Sequence, residues 1–306
     1  MSDLSRRDFL KLGLTAAAAA LVPKALMGQE SEKVAGPAIG VARGDNAKLV
    51  KAALGEIGGM GAFVSAGDRV CIKPNISFAA NVECGATTSA GVVKQTVEEC
   101  LAAGAAKVII LDHTIADSTL CVEKSGIEEA IVDPKKVSLL TLTQERQFGE
   151  VSIPGGTELA AVKVAKAVQG ADKLISLPTA KSHSATGVSL GIKNLMGLVW
   201  DRGALHRKNL HRAIADLALV IKADLTLVDA TRALTTGGPG GPGKTVQLNT
   251  VVAGTDVVAT DSYAVGLTPW YDKAFTGRSV RYIVAAHELG LGEIDTAKMD
   301  VREVKV

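Results

Sequence analysis

Four short apolar runs constrain the fold of this chain more than any other feature. They are Val70-Cys71-Ile72, Val108-Ile109-Ile110-Leu111, Leu174-Ile175-Ser176-Leu177 and Leu225-Thr226-Leu227-Val228. Their apolar residues run on rather than alternating with polar ones, which is how a strand covered on both faces reads. Polar residues or proline follow at once: Lys73-Pro74-Asn75, Asp112-His113, Pro178 and Asp229. Helical patterns lie between them. Ser89 heads one such pattern, which runs to about residue 103 and stops at Gly104. Strand, helix and strand in that order make a βαβ unit.

The same reading predicts further helices over 46–58 behind an Asp45 cap, 122–131, 158–169, 188–199, 207–222, 257–266 behind an Asp256 cap, and from a Ser279 cap to Leu289. Further strands are predicted at Val137 to Leu142, Val151 to Pro154, Val246 to Val252 and Met299 to Val306. The fold class is therefore α/β: a mainly parallel sheet with helices on both faces, Rossmann-like, with room for two lobes. Aromatic residues make up 3% of the chain and apolar ones 47%, so the core must be built from Val, Ile, Leu and Ala.

The amino terminus stands apart. Arg6-Arg7 precedes a short apolar run from Leu12 to Val22, the pattern of a twin-arginine (Tat) export signal. The run is shorter than the roughly 20 residues a spanning helix needs. Residues 1–28 read as the signal, 29–37 as a linker and 38–306 as the domain. The expected location is periplasmic or otherwise extracytoplasmic, reached folded through the Tat translocase, with retention of the signal as an anchor left open. No other apolar run is long enough to span a membrane.

The signal carries Arg6, Arg7, Lys11 and Lys24 against Asp3 and Asp8, which equals the net +2 of the whole chain. The remainder is balanced, so nucleic acid is not the expected partner, because that binding draws on excess positive charge. Cys71, Cys84, Cys100 and Cys121 form no C-x-x-C pair, so no iron–sulfur motif is present. Export permits a disulfide, and Cys84 with Cys121 is the candidate pair because both lie in loop-like sequence.

In parallel sheets ligands bind beyond the carboxyl ends of the strands. Lys73-Pro74-Asn75, Asp112-His113, Lys181 to His183 and Asp229 all sit just there. The richest stretch is Lys181 to Gly197, which gathers His183, Lys193 and Asn194 among glycines and hydroxyls. Lys193 lies between Ile192 and Leu195-Met196, an apolar setting that lowers an amine's pKa and suits anion holding or a covalent adduct.

Two literal motif matches lack their context. Gly238 to Thr245 spells a P-loop, but Pro239 and Pro242 delete two of the N–H donors a phosphate cradle needs, and a strand pattern follows instead of a helix. Gly187-Val188-Ser189-Leu190-Gly191 spells a nucleophile elbow, with Asp261 and His287 later in order. The preceding strand is expected to end near Pro178, too early for an elbow. A serine hydrolase is thus a lesser alternative.

The segments Ile72-Lys73-Pro74-Asn75, Lys181-x-His183, Gly191-Ile192-Lys193-Asn194-Leu195-Met196-Gly197, Val228-Asp229-Ala230, Gly237 to Gly243 and Asp256-x-x-x-x-Asp261 together resemble the domain-of-unknown-function 362 family. The resemblance covers most of residues 38–292. It implies a Tat-exported α/β protein of unassigned chemistry. Some members carry ferredoxin-type cysteine clusters, which this chain lacks. A second likeness is to the lactate racemase family, which uses a nickel-pincer nucleotide. His113, His183 and Lys193 are similar in order and spacing to that family's two histidines and its cofactor-bearing lysine. Gly191-Ile192 stands where that family has a glycine pair.

The expected function is the binding of a small anionic ligand or a metal-containing cofactor in a Lys/His pocket. The leading reading is an enzyme, and the competing class is a non-catalytic accessory or solute-binding protein for an exported enzyme. Lys73, Lys181 and Lys193 supply positive charge in this reading. His113 and His183 exchange protons or ligate a metal, with Lys193 as the third catalytic candidate. Asn75 and Asn194 orient the ligand, and Asp229 and Asp261 organise the lysines or hold a hard cation. Gly240 and Lys244, on the loop 236–244, bind the anion as part of a lid.

Overall fold

Residues 36–306 are described by the computed structural model. The signal segment and residues 29–35 of the linker lie outside them. The strands are β1 (Ala38–Arg43), β2 (Arg69–Pro74), β3 (Lys107–Asp112), β4 (Val137–Thr141), β5 (Phe148–Ser152), β6 (Ala161–Ala165), β7 (Lys173–Leu177), β8 (Thr179–His183), β9 (Gly187–Ser189), β10 (Leu225–Leu234), β11 (Thr245–Gly254) and β12 (Asp300–Lys305). The helices are α1 (Leu49–Gly55), α2 (Ala90–Ala102), α3 (Ser118–Ser125), α4 (Lys166–Gln169), α5 (Gly191–Asn194), α6 (Arg202–His206), α7 (Leu210–Val220), α8 (Val257–Val265) and α9 (Arg281–Glu288).

The main sheet runs β12-β1-β11-β10-β7-β2-β3-β4. Pairing is parallel from β10 through β7, β2 and β3 to β4, and antiparallel where β11 meets β10 and β1. The four apolar runs of the sequence are its central strands. Side chains along a strand alternate between faces, and the core divides accordingly. Cys71, Leu111, Leu174 and Val228 join one buried cluster with α7, α8 and α9. Val70, Ile72, Ile110, Ile175 and Leu227 join a second cluster with α1 and α2. The sheet is thus mainly parallel and covered by helices on both faces.

Several local expectations are corrected. The predicted helix at 158–169 is strand β6 followed by one turn, α4, because Ala161 to Ala165 pairs with β5 in a hairpin that satisfies its backbone. The predicted helix at 188–199 is strand β9, the turn α5 and a 3-10 turn at Leu195–Leu198. Residues 122–131 are covered by the end of α3 and a 3-10 turn at Ile127–Ala130. Asp45 caps no helix; its carboxylate accepts from Ala47 N, and α1 starts later. Ser279 lies in a 3-10 turn, and Val280 precedes α9. Asp256 does cap α8 through Ala259 N. All four cysteines are free, and Cys121 is buried inside α3 rather than in a loop, so Cys84 and Cys121 are not bridged. Among the described residues no helix is long and apolar enough to cross a membrane.

What positions the site is the continuation of β7 into β8. After Pro178 the chain pairs with β10 at Asp229↔Thr179 and turns back as β9, with Lys181 opposite Ser189. This stretch, for which no strand was predicted, is a buried strand. Its period of two sends Lys181 and His183 to one face and Ser182 to the other. Ser182 Oγ accepts from Gly238 N at 3.0 Å, which straps the glycine–proline loop to the back of β8.

Candidate functional site

The centre of the site is a buried ion pair. Lys73, the fifth residue of β2, is fully buried, and its Nζ lies 3.0 Å from Asp112 Oδ1 at the end of β3. The ammonium also donates to Asn194 Oδ1 at 2.9 Å and to Pro74 O. Burial pushes the Lys73 pKa down and the Asp112 charge opposes that shift. The other oxygen of Asp112 accepts from Ile76 N at 2.9 Å and from Ser77 Oγ at 3.1 Å. Asn194 closes the arrangement by donating to Lys73 O at 2.8 Å and Ser176 Oγ at 3.2 Å. Gly197 is where it is for room: a Cβ there would lie 2.3 Å from Asp112 Oδ1 and 2.4 Å from Lys73 Cε.

Above this pair lies a cavity of about 280 Å³ whose lining includes Asn75, Lys181, His183, Lys193, Asn194 and Arg202. Lys181 Nζ donates to Asn75 Oδ1 at 3.0 Å and Ala86 O at 2.6 Å, and lies 4.7 Å from the Phe78 ring centre. Burial, reinforced by the Lys193 charge, pushes the Lys181 pKa well below its ordinary value. Lys193 is 8% exposed, and its Nζ touches Met196 Sδ at 3.4 Å. Burial, with Arg202 adding to it, lowers its pKa to about 8. Arg202 is fixed by two carbonyls, His113 O at 2.7 Å and Thr114 O at 2.9 Å. Among the described residues no carboxylate is within ion-pair distance of Lys181, Lys193 or Arg202. Two buried amines and a half-buried guanidinium with no carboxylate beside them are costly in the charged form unless a ligand supplies the counter-charge.

His183 Nδ1 accepts from Ala185 N at 3.1 Å. In neutral imidazole the proton is then on Nε2, which acts as a donor. Burial and the neighbouring Lys193 and Lys181 charges lower its pKa to about 3, so the ring is neutral at ordinary pH.

His113 sits apart. Its ring stacks on Trp200 at 5.3 Å and 6°, tilts against Phe148, and holds Val199 O through Nδ1 at 2.9 Å. It meets the site through its backbone carbonyl, which anchors Arg202. A metal shared by His113 and His183 does not fit these placements: one ring is stacked away from the cavity lining, and the acceptor nitrogen of the other is already used among cations. Among the described residues no group of three or more His, Cys, Asp or Glu side chains is placed to hold a metal.

The remaining predicted residues have structural neighbours of their own. Asp229 accepts from Ser89 N at 2.7 Å, Thr231 N at 3.0 Å and Thr231 Oγ1 at 2.6 Å, which holds the start of α2; burial raises its pKa. Asp261 accepts from Gly191 N at 2.7 Å and Ile192 N at 2.9 Å, which sets the turn carrying Lys193 and Asn194. It is therefore a positioning residue. Lys244 is exposed and pairs with Asp272 at 2.8 Å, away from the cavity lining. Gly240 packs against Phe78, where a Cβ would lie 3.0 Å from the ring.

Ser189 does end a strand, which the sequence did not anticipate, and lines the cavity. Its supposed partners are engaged elsewhere: Asp261 on the two amides, His287 on Gly292 O at 2.8 Å. No hydrogen bond joins Ser189 to either, so the hydrolase triad is not assembled.

Burial raises the Asp261 pKa to about 7, against the two amides that favour its charged form. A carboxyl whose folded pKa is raised contributes stability that is full below its unfolded pKa and is lost as pH rises through the folded value. Urea unfolding of the wild type should therefore show stability falling between about pH 4 and pH 7. In Asp261→Asn that slope should flatten, and an unchanged slope would assign it to other groups.

Sequence reasoning missed Arg202, Phe78, Ile115, Pro239 and His206, which also line the cavity. Asp201-Arg202-Gly203 after the apolar run Leu195–Trp200 signals a helix start, and Asp201 does cap α6 through Ala204 N. Nothing local marks Arg202 as a partner of β3.

Residues 70–266 match the family described as domain of unknown function (DUF362). Residues 3–23 match the twin-arginine translocation pathway signal, which carries proteins out through the Tat translocase. A thylakoid-associated protein of Synechocystis sp. is 27% identical over 219 residues, covering 67% of this chain and 64% of that relative. The matched part thus spans just under two thirds of the relative's length. The lactate racemase apoprotein of Thermoanaerobacterium thermosaccharolyticum matches at a TM-score of 0.45 and 14% identity, over 73% of this chain and 55% of that one.

Proposed function

We propose, for a chain that belongs to the domain-of-unknown-function 362 family, that it works outside the cytoplasm, in the periplasm, by binding a small anion in the cavity above the Lys73–Asp112 pair and exchanging a proton with it. One observation carries the reading: Lys181, Lys193 and Arg202 line the cavity, and among the described residues no carboxylate pairs with any of them. An anion there would replace lost hydration with charge-assisted hydrogen bonds, the stronger kind. Arg202 and Lys181 are held from behind by carbonyls and Asn75, so they are preorganised to receive it. Asn75 and Asn194 add polar groups to the lining.

Lys193 is the proton-exchanging group in this reading. Among the described residues its Nζ has only Met196 Sδ as a hydrogen-bond partner, and a pKa of about 8 keeps both protonation states within reach near neutrality. His183, neutral, contributes an Nε2–H donor. An anionic part of a larger cofactor would meet the same cations, and the Tat route accepts proteins folded around such a group.

Calorimetric titration of the purified protein with acetate and inorganic phosphate tests the binding. Arg202→Met should weaken the better of the two by roughly 10- to 150-fold, the worth of a charged hydrogen bond. Absence of binding by either anion overturns the reading. Lys193→Met separates the classes: loss of turnover together with the weakened binding, not recovered at saturating ligand, supports an enzyme. A ligand held by the wild type with no turnover of it would favour a non-catalytic accessory or solute-binding role.

A further inference from the structure

We infer that the ligand of this cavity is an organic anion bearing an apolar substituent, and that Ile115 with Phe78 holds that substituent where the cavity opens to solvent. The inference rests on the anion reading above and names its ligand class. Four apolar side chains, Phe78, Ile115, Met196 and Pro239, share the lining with the cations. A hydrated inorganic ion has no use for them. Ile115 is 62% exposed, the most exposed large aliphatic side chain among the described residues. A lone exposed aliphatic is ordinary; one that lines a cavity together with an aromatic ring and three basic side chains is not scattered surface.

Its placement is also enforced. Ile115 N and Ala116 N both donate to Ser77 O, at 2.9 and 3.1 Å, and Ser77 is held in turn by Asp112 through its hydroxyl. The backbone that presents Ile115 is therefore tied to the same ion pair that underlies the cavity. Phe78 is likewise fixed, with the Lys181 ammonium 4.7 Å from its ring centre and Gly240 packed on its edge. Gly240 thus serves the site through the ring and not through its own amide. The cavity, at about 280 Å³, is at the small end for ligand sites, so the substituent is a few carbons long.

The test is a chain-length series on the full-length protein: acetate, butanoate and hexanoate by isothermal titration, with inorganic phosphate alongside. Affinity should rise by about fourfold per methylene buried until the cavity is filled. In Ile115→Ser the hexanoate-to-acetate affinity ratio should fall several-fold. Because Ile115 is largely exposed, that variant folds without disturbing the core. A flat series overturns the inference and leaves the anion reading standing. Binding of phosphate and of no acid overturns the inference alone, and no binding by any acid or by phosphate overturns both. An unchanged ratio in Ile115→Ser overturns the assignment of the substituent to this residue.

Discussion

Replacing Asp112 by alanine is expected to cost about 3–5 kcal/mol of folding stability, the largest effect of any single change at the site. The reason is what remains behind. Lys73 is fully buried, and its ammonium would keep only Asn194 Oδ1 and the Pro74 carbonyl as partners. Burial already pulls its pKa down against the Asp112 charge, so without that charge the lysine must either lose its proton or remain charged at high cost. Asp112 also carries the Ile76 amide and the Ser77 hydroxyl, which would be left unpaired. The double variant Lys73→Met with Asp112→Ala should lose less than the sum of the two single variants, because the stranded charge is gone. Urea unfolding followed by circular dichroism measures all three. Strict additivity would sink the claim that the pair is coupled. The damage should also reach the ligand, since Asn194 and Gly197 both rest on this pair.

The second large effect is on pH dependence. Anion affinity should fall about tenfold per pH unit above pH 8, as Lys193 loses its proton. Lys193→Met should weaken binding below pH 8 by roughly 10- to 150-fold and abolish the decline above it. The free protein responds in the opposite direction. A lysine with a depressed folded pKa contributes stability that is full above its ordinary value of 10.5 and is lost as pH falls through about 8. Burial disfavours the charged amine in the free protein, and a bound anion would offset that cost. Titration calorimetry from pH 6 to 10 in wild type and variant separates Lys193 from Lys181. A decline that persists in Lys193→Met would move the titrating group to Lys181.

Much of the sheet was legible. Apolar runs such as Val108 to Leu111 leave a strand no polar face, so burial on both sides follows from composition and length alone. The polar residues after those runs were likewise found, because a strand buried to its last residue must release its polar groups at the edge. Helix–strand confusion arose where the chain is short and irregular. Residues 187–198 hold a strand of three residues and two single turns, each below the length at which a period can be read. The 158–169 stretch went to a strand because β5 was there to pair with it, which is a long-range fact.

The sequence by itself determined the fold class, the export signal and the neighbourhood of the site, because each depends on local patterns: a run of apolar residues, an Arg-Arg before an apolar segment, a polar cluster after a strand. Only the tertiary structure decided how the polar groups are placed and paired. It paired Lys73 with Asp112 and left Lys181, Lys193 and Arg202 with no carboxylate. It turned His113 onto Trp200, and engaged Asp229 and Asp261 with backbone amides. Whether a buried charge is neutralised depends on groups tens of residues away that come within 3 to 4 Å only on folding. A linear sequence lists such groups without giving their distances.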